Sequence, residues 1–123
     1  MIISLIGQEK NLGLLTLTDY LIDKLGKNNI GVVGWNYLVS DYSTILESID
    51  SYGKNNKSVI IKYAMPRIKF SNQAVEYPKE INTLSDVVFR VPSYKEELMP
   101  TVPLTFFKGE DNPIVKHIKD FYK

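Results

Sequence analysis

The chain has 123 residues, of which 44% are hydrophobic and 24% charged, and its formal net charge is +1. These values fit one soluble globular domain covering residues 1–123, and a nearly neutral chain has no overall field that attracts nucleic acid or an anionic membrane. Cysteine is absent, which excludes disulfides and cysteine-based metal sites, and no apolar run is long enough to cross a bilayer, so we expect a cytoplasmic protein.

Five short apolar runs predict strands, and the first lies at the start of the chain. Residues 2–6 are apolar except for Ser4, and Gln8, Glu9 and Lys10 follow closely, so this run is a buried strand and not a signal peptide. Strands buried on both faces belong to parallel sheets that helices cover. The other predicted strands are residues 30–35, 58–63, 87–91 (ended by Pro92) and 104–107.

Three amphipathic segments, two between strands and one after the last strand, predict helices, because apolar residues recur in them at spacings of three and four. The inner-face residues are Leu14, Leu17, Leu21 and Leu25 in the first helix, Tyr42, Ile45, Ile49 and Tyr52 in the second, and Ile114, Ile118 and Phe121 in the third. The predicted boundary residues are Gly26 at the end of the first helix, Ser40 or Asp41 as the cap and Gly53 as the stop of the second, and Asp111 or Asn112 as the cap of the third with Pro113 at its first position.

Two stretches show neither the apolar runs of strands nor the helical spacing of apolar residues. Pro66 and Pro78 exclude one long helix across residues 66–82, which we interpret as a loop with a short helical turn. Residues 93–103 are charged and contain two prolines, which predicts an excursion over the surface. Long irregular segments of a small domain are often functional, and this one would expose apolar side chains unless something covers them. Those side chains are Tyr94, Leu98, Met99 and Val102.

The alternation of strands and helices predicts an α/β fold. We expect a mainly parallel sheet of about five strands flanked by helices, as a three-layer sandwich of P-loop-NTPase-like or Rossmann-like type. A ligand crevice in such a sheet lies at the carboxyl ends of the strands. The segments that would border it are residues 7–13, 34–37, 63–67, 92–94 and 108–112.

Residues 2–16 predict a strand, a glycine-bearing loop and a helix start, an arrangement that can hold a phosphate on backbone N–H groups. Over these residues the chain resembles the ParA/MinD-type ATPases, whose deviant Walker A loop is commonly N-Q-K-G-G-V-G-K-T-T. Residues 31–36 are similar to that family's second strand, residues 58–66 to its Walker B strand, and residues 81–92 to its A-D-x-V-x-x-P strand. A looser match to RecA-like domains uses the same features.

The charged residues that such a site needs are replaced. Leu14 stands at the position of the phosphate-binding lysine, and Leu15 at that of the Mg²⁺-binding hydroxyl. Glu9 occupies the position of the signature lysine, Asn36 that of the acidic residue after the second strand, and Lys62 that of the Walker B aspartate. Since phosphoryl transfer depends on positioning and electrostatic stabilisation, the resemblance implies the fold without ATP hydrolysis.

The remains of the loop give a degenerate candidate site and imply no cofactor. Gly7, Lys10, Gly13 and Thr16 are the retained loop residues, and Lys62 would lie in the same crevice. Lys10 and Lys62 could supply positive charge to a bound anion, although solvated lysines are the simpler interpretation. No catalytic and no metal-binding residue is assigned.

Other chemistry-bearing residues give no site. His117 is the only histidine, so a histidine metal cluster cannot form and the sequence shows no obvious Ser-His-acid set, and we expect His117 on the surface of the last helix. The adjacent carboxylates Glu96-Glu97 and Glu110-Asp111 lack an identifiable partner for acid–base chemistry.

Two further features concern partners and turns. Lys62, Arg67 and Lys69 form a short basic cluster with aromatic neighbours, but on a nearly neutral chain this is usually a solvated face, so nucleic acid is the weaker partner hypothesis. Asp86 precedes a strand and suits a turn or cap.

The leading hypothesis is a non-catalytic P-loop-like (pseudo-NTPase) domain that serves as a protein-interaction, assembly or regulatory module. It would bind another protein or a second copy of itself. The first alternative is a small nucleotide-binding, partition-type protein that acts with DNA or a partner ATPase. The second is an unrelated small α/β enzyme.

Overall fold

The computed structural model describes residues 1–10, 12–36, 41–66, 75–93 and 103–123. These ranges form five β-strands and four α-helices, with one 3₁₀ turn at Lys27–Asn29. The strands are β1 (Ile2–Gln8), β2 (Ile30–Asn36), β3 (Ser58–Met65), β4 (Val87–Arg90) and β5 (Thr105–Lys108). The helices are α1 (Leu12–Leu25), α2 (Tyr42–Lys54), α3 (Lys79–Leu84) and α4 (Val115–Phe121).

All five strands belong to one sheet, in the order β2-β3-β1-β4-β5. Strands β2, β3, β1 and β4 are parallel to one another, and β5 is antiparallel to β4. The central strand β1 is buried along most of its length, as expected for a parallel strand with helices on both sides. The predicted α/β class and the mainly parallel five-stranded sheet are confirmed.

The alternation of side chains along the strands divides the core into two clusters. Leu5 of β1 packs on one face of the sheet with Leu17 of α1 and Ile118 of α4. Ile6, the next residue, packs on the opposite face with Ile49 of α2 and with α3. Helices therefore cover both faces of the sheet.

Helix α1 follows the predicted pattern. Leu14, Leu17 and Leu21 are buried. Gly26 has a φ of 93°, which glycine reaches without steric cost, and its N–H donates to the carbonyl of Ile22 at 2.9 Å. The predicted helix and its end are confirmed.

Helix α2 begins as predicted but ends later. The Asp41 carboxylate caps it by accepting a hydrogen bond from the N–H of Ser43 at 3.1 Å. The alternative cap, Ser40, lies outside the described residues. The prediction that Gly53 stops the helix is wrong, because the chain reverses only at Asn56, which has a φ of 56°.

The inner face of α2 is narrower than predicted. Ile45 and Ile49 are buried, and Tyr52 packs against them at the edge of the core. Tyr42 is 37% exposed, because it occupies the first position of the helix, although its ring centroid lies 5.7 Å from that of Trp35.

The last helix also differs from the prediction. Neither Asp111 nor Asn112 caps it, because α4 begins only at Val115. The Oδ1 atom of Asn112 accepts a hydrogen bond from the N–H of Ile114 at 3.1 Å, which stabilises a turn before the helix. Pro113 belongs to that turn.

The direction of β5 moves residues 108–112 away from the predicted crevice. Lys108 is paired with Val88, near the start of β4. Gly109 follows with a φ of 77°, and a Cβ atom there would collide with the carbonyl oxygen of Asp86. The prediction that this segment borders the crevice is therefore wrong, since it lies at the amino ends of the parallel strands.

The irregular stretches are described only in part. The predicted helical turn within residues 66–82 is α3, which directly follows Pro78. Residues 67–74 and 94–102, with Tyr94, Leu98, Met99 and Val102, lie outside the described residues. Among the helices that are described, none has both the length and the apolar character needed to span a membrane.

Candidate functional site: an apolar crevice with two lysines

The turn between β1 and α1 forms one wall of a crevice. The N–H of Glu9 donates to the carbonyl of Met65 at 2.8 Å, which joins the end of β1 to the end of β3. Lys10 then turns the chain with a φ of 61°, a left-handed conformation that is costly for a residue other than glycine. Strained backbone of this kind is concentrated at functional sites.

A cavity of about 540 Å³ lies between the first turns of α1 and the carboxyl halves of β2 and β3. Its size is within the range of small-molecule pockets, which is about 300–1,000 Å³. Its lining is mostly apolar and includes two positive charges. The lining residues are Lys10, Leu12, Leu14, Leu15, Gly34, Trp35, Asn36, Lys62 and Ala64.

The register of the sheet explains the floor of this crevice. Lys62 of β3 lies between Leu5 of β1 and Gly34 of β2, and Ala64 is level with Gly7 and Asn36. Gly34 is exposed, and a Cβ atom built on it would have no other atom within 4 Å. This face of the sheet is therefore uncovered at Gly34, and the Lys62 side chain has room beside it.

The charged side chains that line the crevice, among the described residues, are all positive. Lys10 and Lys62 are the charged residues among those that line it, and no carboxylate of the described residues does so. Neither ammonium group has a hydrogen-bond or ion-pair partner within the described ranges of the chain. An anion of the right size would therefore be attracted into the crevice.

Of the predicted site residues, the structure brings together Lys10 and Lys62. Gly7 lies under α1, where a Cβ atom would come within 3.1 Å of the Leu14 side chain. Gly13 is buried in the first turn of α1. The Thr16 hydroxyl donates to the carbonyl of Gly13 at 3.2 Å. Gly7, Gly13 and Thr16 do not line the crevice.

The substituted positions of the loop lie on the crevice wall. Leu14 is 7% exposed and packs into the core, whereas Leu15 is 49% exposed at the mouth of the crevice. Leu12 is 59% exposed beside it. No group of three or more histidine, cysteine, aspartate or glutamate side chains that could hold a metal ion is present among the described residues.

Gly34 and Ala64 lie in two segments that were predicted to border the crevice, residues 34–37 and 63–67, but neither residue was assigned a particular role from the sequence. A glycine inside a strand often marks the close approach of a ligand or another backbone. Ala64 was assigned to the Walker B-like segment, and only the sheet register shows that its small side chain widens the crevice. The indole of Trp35 packs on the other face of the sheet, 5.6 Å from the Tyr63 ring.

The remaining candidates lie elsewhere. His117 is partly buried on α4 and does not line the crevice. Asp86 was expected to serve a turn or cap, but its Oδ2 atom instead accepts a hydrogen bond from the N–H of Ile2 at 2.8 Å, which ties the start of β1 to the residue before β4. The basic residues Arg67 and Lys69 and the pair Glu96-Glu97 lie outside the described residues.

Comparison with protein-family models, with curated proteins and with solved structures finds no match for this chain. The fold and the site define an α/β protein with an apolar, cationic crevice at the carboxyl ends of its parallel strands.

Proposed function

We propose that the chain is a non-catalytic P-loop-like domain that acts as a binding module, either regulatory or in assembly, with the crevice as its recognition site. One observation carries this proposal: Leu14, Leu15 and Lys62, which replace the residues of a nucleotide-hydrolysing site, all line the same crevice. The three residues are therefore clustered in space, and the two leucines make this part of the crevice apolar.

The order of the strands supports the P-loop-like part of the proposal. The strand that resembles a Walker B strand lies next to the strand that leads into the loop. Strand β3 is hydrogen-bonded to β1 along its length, with Lys62 level with Leu5. A carboxylate at residue 62 would thus project from the strand adjacent to β1, close to the loop.

The chemistry of the lining supports the non-catalytic part. Hydrolysis of a nucleotide needs a magnesium ion, a hydroxyl or carboxylate to hold it, and donors for the developing charge on the phosphoryl group. Leucine side chains at residues 14 and 15 provide none of these groups, and Lys62 would repel the metal ion. These side chains therefore lack the groups that perform the reaction.

Exposed apolar area at the mouth of the crevice supports a binding role. Leu12 and Leu15 are among the large hydrophobic residues that the structure leaves exposed. Apolar area next to a concave site is typical of surfaces that receive a ligand or a partner. A regulatory or assembly module would bury these leucines when it binds.

The experiment measures release of phosphate from ATP and GTP by excess full chain in the presence of Mg²⁺. We expect no phosphate release above a protein-free control. The variant Lys62→Ala is expected to give the same result, because Lys62 takes no part in hydrolysis. Nucleotide turnover by the wild-type chain that is lost on chelation of Mg²⁺ would disprove the proposal. Light scattering at increasing concentration separately tests a second copy as the partner, and Leu15→Ser is expected to weaken any association.

A second candidate function is nucleotide binding without magnesium or hydrolysis, in a partition-type protein. The presence of both Lys10 and Lys62 in one crevice favours it, because two ammonium groups can bind a phosphate as point charges. Titration with ATP in the presence of a chelator distinguishes this function, which predicts saturable binding that Lys62→Met weakens.

A further inference from the structure

We propose that the crevice binds an amphipathic anion, with an apolar body on the leucine wall and one carboxylate or phosphate head between Lys10 and Lys62. This inference rests on the proposed function, since a site built for magnesium and a triphosphate would not present leucines to its ligand. It goes further by naming the chemical class of the ligand.

The walls require an apolar body. Leu14 and Ala64 form fixed walls, because one belongs to the first turns of α1 and the other to an interior strand. Leu12 and Leu15 extend the apolar surface to the mouth of the crevice and are 59% and 49% exposed. A ligand with an apolar body would remove this area from water, which favours binding in proportion to the area buried.

The charges require an anionic head. Lys62 projects from an interior strand, where a lysine is unusual, and the empty space over Gly34 lies next to it. Lys10 is brought to the same cavity by a left-handed turn. With no carboxylate among the described lining residues, the two ammonium groups give the crevice a positive character that favours an anion.

The size of the crevice limits the ligand to a small molecule. A volume of about 540 Å³ accommodates a short alkyl or aromatic body with one head group. Both charges are lysines, so the head is held by point charges and not by the planar fork that arginine offers. Carboxylates and phosphate monoesters therefore share the chemistry that this crevice recognises.

The test is a titration of the full chain, monitored by amide NMR, with four probes: decanoate and decyl phosphate below their critical micelle concentrations, decanol below its solubility limit, and inorganic phosphate as the head group alone. We expect decanoate or decyl phosphate to shift the amide signals of Gly34, Lys62 and Ala64. The stronger of the two identifies a carboxylate or a phosphate head. Decanol is expected to bind at least about tenfold more weakly, because it lacks the charge-assisted contacts.

Three variants sharpen the test. Lys62→Met keeps the aliphatic stem and is expected to weaken the anionic probes about tenfold, while Lys116→Met, an exposed lysine on α4, leaves their affinity unchanged. Gly34→Leu is expected to abolish binding by filling the crevice, and its intact fold is checked by thermal melting.

Three results would overturn the inference: decanol binding as tightly as decanoate, shifts spread over the whole surface and insensitive to Lys62→Met, or ATP binding more tightly than decyl phosphate. The failure of the two proposals can be told apart. If the decyl probes fail and no nucleotide is hydrolysed, the ligand class is wrong and the non-catalytic function stands. If magnesium-dependent hydrolysis is detected, both proposals are disproved.

Discussion

Lys62 on β3 lies directly beside Gly34 on β2, and this pairing creates the crevice. The glycine leaves the space next to the lysine empty, because no atom lies within 4 Å of the position that its Cβ would occupy. A side chain at residue 34 would stand where a ligand is proposed to bind. The pair therefore links the register of the sheet to the proposed binding site.

Gly34→Leu is expected to keep or raise the free energy of unfolding, by up to about 1 kcal/mol, because glycine is unfavourable inside a strand and the new side chain meets no atoms. Urea denaturation followed by the fluorescence of Trp35, the single tryptophan, measures it.

Gly31→Leu in the same strand is the matched control. A Cβ atom at Gly31 would overlap the Tyr52 ring, so we expect a loss of about 1–3 kcal/mol or more. Equal effects of the two substitutions would contradict the assignment of Gly34 to an open crevice and Gly31 to a packed face.

Lys10→Gly is expected to raise the free energy of unfolding by about 1 kcal/mol, because a left-handed residue with a side chain is strained. The same variant should weaken binding of an anionic probe, since it removes one of the two ammonium groups. Asn56 has the same left-handed conformation, which asparagine tolerates better than lysine does. Asn56→Gly is therefore expected to raise the free energy of unfolding by a smaller amount. A clear loss of stability in Lys10→Gly would show that the Lys10 side chain holds the loop.

Asp41→Ala is expected to lower the free energy of unfolding by about 1 kcal/mol, because the first turn of α2 loses its cap. Asp41→Asn keeps an acceptor at the same place and should lose little. Thermal and urea melts of the two variants compare them directly. If the alanine and asparagine variants are equally stable, the cap does not contribute.

Gly109→Ala is expected to destabilise the chain by about 1–3 kcal/mol, since the φ of 77° disfavours a side chain and the Cβ would meet the Asp86 carbonyl. The substitution tests the antiparallel placement of β5 against β4, and urea denaturation measures it. Gly53→Ala is the control, because nothing lies near that position in the exposed end of α2, and it should be neutral or stabilising. A harmless Gly109→Ala would argue against this placement.

The apolar runs were enough to predict the strands and the α/β class, because buried parallel strands leave a strong local signal. The direction of β5 was not predictable from local sequence, since the side-chain pattern of a short strand such as Thr105–Lys108 is compatible with both parallel and antiparallel pairing. The predicted caps of α4 were wrong for a similar reason. Asparagine and proline suit a turn as well as a helix start, and here Asn112 stabilises the turn before the helix.

The candidate site was predictable only in part. The pattern around Lys10 and Lys62 placed both lysines at the carboxyl ends of strands, and the structure places both at one crevice. The role of Gly34 and Ala64 depends on the register between β2 and β3, which joins residues distant in the chain. Nothing in the local sequence specifies that register.

The thermal melting of the full chain with ATP, measured with Mg²⁺ and with a chelator, tests the central claim most directly. A ligand that prefers the folded state raises the melting temperature. The account predicts the same melting temperature with and without Mg²⁺·ATP, because Leu14, Leu15 and Lys62 offer no site for the metal. A rise with Mg²⁺·ATP that disappears on chelation would contradict the account.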